Sequence, residues 1–286
     1  MKEIIKQSTE AHKPFWQIIL EDDMEERMVT ADESMLRMEQ LYLAMKAADL
    51  VYDKDLMSAS RLVGGDGERM NRAVREGRVV GGPFLGEVIA KALKMGESNA
   101  CMRKIVAAPT AGSCGVIPAV LLTYEEKNKV PMERMVEAMY VASGIGEVIA
   151  ARAYLSGAAG GCQAEIGSAS AMAAGALAYL NGGDSESIAH AAAMSLKNLL
   201  GLVCDTVGGL VEVPCVKRNV VGAVNAIASA DMAVAGIQSR IPVDEVIDAM
   251  REIGDALPKS LRETGEGGLA ATPAGIAIMN NLMKED

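Results

Sequence analysis

The sequence predicts an all-α fold, and three observations predict it. The apolar half of this 286-residue chain is rich in Ala, with 29 Gly and 19 Met against two Phe, one Trp and six Tyr. Small residues let helix backbones approach and Met fills irregular gaps, whereas a β-sandwich draws on β-branched and aromatic residues. Apolar positions recur at i, i+3, i+4 and i+7 in one stretch after another. No run alternates like a strand, "LVEV" at 210–213 being the nearest approach.

Taken in order, residues 1–32 are polar and charged around one apolar island, "PFWQIIL". They read as a polar arm or peripheral helix that would dock through Phe15 and Trp16. Residues 33–286 read as a single all-helical domain. In "SMLRMEQLYLAMKAADLVY", Met35, Met38, Leu41, Met45 and Leu50 fall at mostly helical spacing. "GGDGERMNRAVREGRVVGGPF" is a glycine-punctuated link around a short helix, and "LGEVIAKALKMG" is a helix stopped by Gly96. "KIVAAPTAGSCGVIPAVLLTYEEK" is a loop of small residues entering a helix. Pro131 suits the first turn of the next, where Met132, Met135, Val136 and Met139 keep the spacing.

"SGAAGGCQAEIG" interrupts before a small-residue helix that runs to Leu180, and Asp184 suits the N-cap of its successor. There Ile188, Ala191, Ala192, Ser195 and Leu199 line one face. Asn219 is placed to cap "VVGAVNAIASADMAVAG", and Pro242 precedes "VDEVIDAMREIG", which Gly254 ends. A glycine-rich loop, "ETGEGGLAATPAG", leads to a short final helix. No internal repeat occurs.

Net charge is −10 with no basic run, which argues against nucleic acid and anionic membrane surfaces as partners. "MKEIIKQSTEAHK" lacks the apolar centre of a signal peptide. No stretch approaches the roughly 20 apolar residues of a membrane span. The expectation is a cytoplasmic protein. In that reducing setting its five cysteines are expected to be free, catalytic or metal-bound rather than paired.

Three cysteines share a context: Cys162 ends a glycine run and opens a helix, Cys204 follows one, and Cys215 lies just before Asn219. Helix N-termini stabilise thiolates. Three thiolates hold a [4Fe-4S] cubane and leave its fourth iron open, as a Lewis-acid catalyst requires. Buried cysteines packing as small hydrophobes fit the same spacing, and the ten residues between Cys204 and Cys215 match no short metal motif. Cys101 reads as core or helix end, and Cys114 as a loop residue near a site rather than a ligand.

In "AAPTAGSCG", Thr110 and Ser113 offer hydroxyls while Gly112 and Gly115 bare backbone N–H groups. This is either an anion cradle or a plain helix-entry turn. It lacks the Gly-Lys-Ser/Thr ending of a phosphate loop, and "GGDGERM" lacks the strand that a dinucleotide fingerprint needs. Of two histidines, His12 lies in the polar arm and His190 on a small-residue helix in a packing role, so a catalytic base would come from elsewhere. Lys197 lacks the context of a pyridoxal-phosphate lysine. Arg218 and Asn219 read either as partners for a substrate carboxylate or as a surface arginine beside an N-cap.

Four segments, "VAAPTAGSCGVIPAVL", "GGCQAEIGSASAMAAGAL", "LKNLLGLVCDTVGGLVEVPCVKRN" and "SLRETGEGGLAATPAG", together resemble the iron–sulfur-dependent L-serine dehydratases (L-serine ammonia-lyases). The resemblance is to the alpha chain of the two-subunit form and covers roughly residues 60–275. It implies an all-helical catalytic domain in which Cys162, Cys204 and Cys215 ligate a [4Fe-4S] cluster. It further implies conversion of L-serine to pyruvate and ammonia, with the open iron assisting loss of the β-hydroxyl. Thr110, Gly112, Ser113, Asn198, Arg218 and Asn219 become candidates for binding substrate, and the 205–214 loop is expected to wrap the cluster, with Gly208 and Gly209 giving it room.

Two departures from the pattern matter. The Ser-Ser-Ser-His-Thr motif of single-chain relatives is absent here, so a separate beta chain is expected to supply the base in a heterodimer. The tail "NLMKED" lacks the terminal cysteine of some relatives, so water or another small ligand is expected on the fourth iron. A cluster lyase acting on L-cysteine, and a non-catalytic helical binding or scaffold subunit, remain alternatives.

Overall fold

The computed structural model describes residues 1–284, so the last two residues of the "NLMKED" tail lie outside the described residues. Thirteen helices make up the described chain, in the all-α fold that its composition predicts. They are α1 (Lys2–Ala11), α2 (Phe15–Arg27), α3 (Ala31–Leu50), α4 (Asp66–Arg75), α5 (Gly82–Ala100), α6 (Val116–Asn128) and α7 (Met132–Arg152). The short α8 (Gly157–Gly160) follows, then α9 (Ser168–Leu180), α10 (Ser185–Lys197), α11 (Cys215–Val234), α12 (Val243–Ala256) and α13 (Pro273–Leu282). Among the described residues there is no strand, only an isolated parallel bridge between Cys204 and Arg262. Residues 210–213 are irregular loop.

α9 is the hub. Every residue from Ser168 to Tyr179 is buried, and α6, α7, α10 and α11 pack around it. A helix apolar on all sides belongs inside a bundle, and its Ser, Ala and Gly side chains let four neighbours come close. Gly222 of α11 shows the fit: a Cβ there would stand 2.9 Å from both Ile166 and Val116.

Several boundaries differ from the sequence reading. The N-terminal stretch forms α1 and α2, α3 already begins at Ala31, and Phe15, Ile19 and Leu20 join the main hydrophobic core. Ile19 and Phe15 pack on Gly144 of α7. α5 runs through Gly96, where a Cβ would meet Val216 at 3.1 Å, and α12 runs through Gly254, where a Cβ would stand 3.0 Å from the Gly160 backbone. These glycines admit close neighbours rather than stop helices. Asp184 does cap α10, accepting from Ser187 N, and Thr30 caps α3 in a reciprocal capping box with Glu33. No helix among the described residues is long and apolar enough to cross a membrane.

Candidate functional site

The loops around α8, α10 and α11 converge on the three cysteines. Cys162 opens a π-helical turn, Gln163–Gly167, that runs into α9; such turns recur at functional sites. The buried Gln163 pins the following segment to it. Its backbone N donates to Leu202 O at 2.9 Å, its Oε1 accepts from Gly201 N at 2.9 Å, and its Nε2 donates to Met250 O at 2.9 Å.

Cys204 is then strapped by the 261–263 segment: its N donates to Leu261 O at 2.8 Å and its O accepts from Glu263 N at 2.7 Å. Beyond it, Val207 N bonds Val213 O at 2.9 Å and closes the loop. Buried Glu212 ties that loop to Ser58 at 2.9 Å and to Ser60. Cys215 is the first residue of α11. Gly208 and Gly209 have φ of 64° and 70°, and Gly209 has open space around it. Both adopt the left-handed turn that favours glycine.

Cys162, Cys204 and Cys215 are 3%, 1% and 7% exposed, and all three are free thiols. Burial pushes the Cys162 thiol up to about 11 and the Cys215 thiol up to about 12, and raises Cys204 as well. A charge on Cys162 adds to the rise at both of the others, which puts the three sulfurs within reach of one another's field. Arg218 opposes the rise at Cys162 and Cys215.

Among the described residues no three His, Cys, Asp or Glu side chains are arranged to hold a metal ion, whose donors would each lie within about 2.3 Å of it. Three thiol side chains, one on a loop and two at helix entries, are the donor type an iron–sulfur cluster takes, and in that chemical sense the residues present fit that group.

Beside the thiols stands the 110–115 loop. Asn219 lies one turn inside α11 rather than at its N-cap, because the helix already starts at Cys215. Its Oδ1 accepts from Gly115 N at 2.8 Å while its Nδ2 donates to Gly112 O at 2.8 Å and Cys215 O at 3.0 Å. One side chain thus couples the cysteine helix to the loop. Ser113 is fully buried and turned back on Thr110, the two hydroxyls 3.0 Å apart. Arg218 is no surface residue. It donates to Val203 O at 2.7 Å and Asp205 Oδ1 at 2.8 Å, and faces the Cys162 sulfur.

Thr110, Gly112, Ser113, Arg218 and Asn219 are therefore gathered around the cysteines. Asn198 is not: exposed, it bonds Asn225 Oδ1 at 2.7 Å, and Asn225 joins a separate cluster with Ser170 and Ser195. Cys114 packs in the core, its thiol directed at Met95 O, and Cys101 ends α5. His12 closes α1. His190 lines a cavity of about 720 Å³ between α1, α10 and the start of α12.

Glu165 escaped the sequence reading. Its carboxylate faces the Thr110 hydroxyl and the Gly157 N–H, and burial holds its pKa above the ordinary carboxylate range. A Cβ on Gly112 would stand 3.1 Å from its Oε2, and one on Gly157 would stand 2.9 Å from both that oxygen and the Cys204 sulfur. The available signal was a lone acid in the otherwise uncharged run "SGAAGGCQAEIGSASAMAAG".

Fold and site define a class: an all-helical chain that gathers three buried cysteines from separate segments beside a glycine-rich loop. The family model described as serine dehydratase alpha chain matches residues 10–270, and the chain belongs to that family, one of lyases. It is 47% identical over 275 residues to the probable L-serine dehydratase, alpha chain, of Bacillus subtilis (strain 168), covering 96% of this chain and 92% of that one. It is 40% identical over 285 residues to the L-serine dehydratase, alpha chain, of Peptoniphilus asaccharolyticus, covering 99% and 98%. The L-serine dehydratase of Streptomyces coelicolor is 44% identical over 183 residues, which is 63% of this chain and 40% of that longer protein.

Proposed function

We propose that this chain is the alpha subunit of an L-serine ammonia-lyase, that Cys162, Cys204 and Cys215 hold a [4Fe-4S] cluster, and that a separate beta chain supplies the base. The observation that carries the reading is the convergence of three buried, free thiols from segments far apart in sequence. The relatives named as L-serine dehydratase alpha chains over nearly their whole length support the substrate and a second chain. The chain's two histidines, His12 at the end of α1 and His190 in the cavity beside it, support a base from that second chain. The five free cysteines suit a reducing cytoplasm.

When bound, the cluster supplies an open iron as a Lewis acid for departure of the β-hydroxyl. Loss of the α-proton and the hydroxyl leaves aminoacrylate, which tautomerises and takes up water to give pyruvate and ammonia. The chain's own residues hold and orient. Gln163, Asp205 and Glu212 fix the loops that carry the thiols. Asn219 sets the 110–115 loop beside them, and its Thr110 and Gly112 are candidates for contacts with the substrate.

Anaerobic reconstitution tests the ligand set: the wild type should turn brown with about four irons per chain, and Cys204→Ala should not. A colourless, iron-free wild type would refute the cluster. Pyruvate formation from L-serine, with and without the beta chain, tests the activity, and L-cysteine as the better substrate would reassign it to a desulfidase.

A further inference from the structure

The acidic groups around the three thiols are not equivalent. Asp205 is taken up by Arg218 at 2.8 Å and by Leu269 N at 2.9 Å. Glu212 is occupied by Ser58 and Ser60. Glu263 sits on the segment that straps Cys204. Glu165 stands between the two glycine-rich segments and faces Thr110, Gly157 and Glu263, with no cation among those groups.

Space has been left for it. A Cβ on Gly112 would crowd its two carboxylate oxygens at 3.1 and 3.2 Å, and one on Gly157 would crowd Oε2 at 2.9 Å. Neither glycine has a positive φ, so the backbone does not require glycine at either position. At both positions the Glu165 carboxylate is among the nearest groups an added Cβ would meet. The same Gly157 position lies 2.9 Å from the Cys204 sulfur, so carboxylate and ligand sulfur flank one glycine.

A half-buried carboxylate without a cation is costly, and a charge-assisted hydrogen bond to an ammonium offsets that cost. The substrate of the proposed reaction carries one cation, its α-ammonium. We propose that Glu165 receives the substrate's α-ammonium and thereby sets a preference for α-amino acids over α-hydroxy acids. The assignment rests on the function proposed above.

The test uses the cluster-loaded alpha–beta complex and two ligands that cannot eliminate, L-alanine and L-lactate, which differ at Cα only in ammonium against hydroxyl. Their dissociation constants are measured by anaerobic calorimetry. Wild type should bind L-alanine at least about tenfold tighter than L-lactate, as one charge-assisted contact predicts. Glu165→Gln should bring the two within about threefold by weakening L-alanine alone, and Glu165→Asp should keep the preference.

Two results would overturn the assignment. One is a wild type without the preference, a measurement that needs no variant to fold. The other is a Glu165→Gln protein that weakens both ligands equally, which would mark a structural role. Pyruvate release from L-serine by the wild type separates the two levels. A wild type that makes none overturns the proposed function, whereas one that makes pyruvate but binds both ligands alike overturns only the role of Glu165.

Discussion

Arg218 and Asp205 form a buried ion pair, Nη2 to Oδ1 at 2.8 Å, with side chains 14% and 6% exposed. The same guanidinium donates to Val203 O at 2.7 Å. It therefore holds both residues that flank Cys204, from a position three residues after Cys215. Breaking a buried pair leaves one charge uncompensated at a cost of about 3 kcal/mol. Arg218→Met and Asp205→Leu should each lower the denaturant midpoint of the cluster-free chain by that order. The double variant should lose at least about 1 kcal/mol less than the sum. Additive losses would show that the pair contributes nothing as a pair.

Asn219 makes three hydrogen bonds that no other side chain of its size would reproduce. Its amide accepts from Gly115 and donates to Gly112 and Cys215. Asn219→Asp keeps the acceptor but sets a carboxylate against two carbonyl oxygens, and Asn219→Ala leaves all three backbone groups without this partner. Each unsatisfied buried group costs about 1–3 kcal/mol. Both variants should destabilise the chain and raise KM for L-serine, through the 110–115 loop, more than they lower kcat. A KM unchanged in a folded Asn219→Ala protein would detach the loop from substrate binding.

The helices were legible in the sequence where the apolar spacing was regular, as in α7 and α12, and where a cap was explicit, as at Asp184. They were less legible where one residue type serves two ends. Gly96 and Gly254 look like helix stops, but each admits a neighbour, Val216 or Gly160. Asn219 looks like a cap because Asn is a favoured N-cap residue, whereas the start of the helix at Cys215 is marked by the proline before it. The three cysteines were legible as a set only through whole segments. Glu165 was not, because its setting is made by Gly112 and Gly157, which the fold, not the chain order, brings to its carboxylate. The burial of α2 was hidden by its charged flanks, since only Phe15, Ile18, Ile19 and Leu20 turn inward.

That same contact of α2 with α7 carries a pH dependence. Glu147 lies near Asp22, Asp23 and Glu26, and burial together with these acids raises its pKa above the ordinary carboxylate value. Asp22 is raised in the same way, by burial and by Glu25 and Glu21. A carboxyl with a raised pKa in the folded chain binds protons that the unfolded chain has already lost, so stability falls as pH rises through that window. Glu147→Gln should therefore stabilise the chain at pH 7, by about 0.5 kcal/mol after solvent screening. The gain should vanish once the pH drops below the ordinary glutamate range. Urea midpoints of both proteins between pH 4 and 8 would check it, and a gain that persists in acid would refute the repulsion.

Two glycines of the site predict opposite outcomes for one substitution. At Gly209, φ is 70° and nothing lies within 4 Å of an added Cβ, so Gly209→Ala meets only the left-handed backbone penalty, about 1 kcal/mol. Gly157 has no such backbone demand, but an added Cβ would stand 2.9 Å from both the Cys204 sulfur and Glu165 Oε2. Relief requires one of those groups to move. Gly209→Ala should then lower the unfolding midpoint and keep the wild-type iron content after anaerobic reconstitution. Gly157→Ala should lose iron while the cluster-free chain keeps its helical circular dichroism. Equal iron content in the two variants would mean that the Cys204 sulfur has freedom the close packing at Gly157 denies it, and would remove Gly157 from the candidate site.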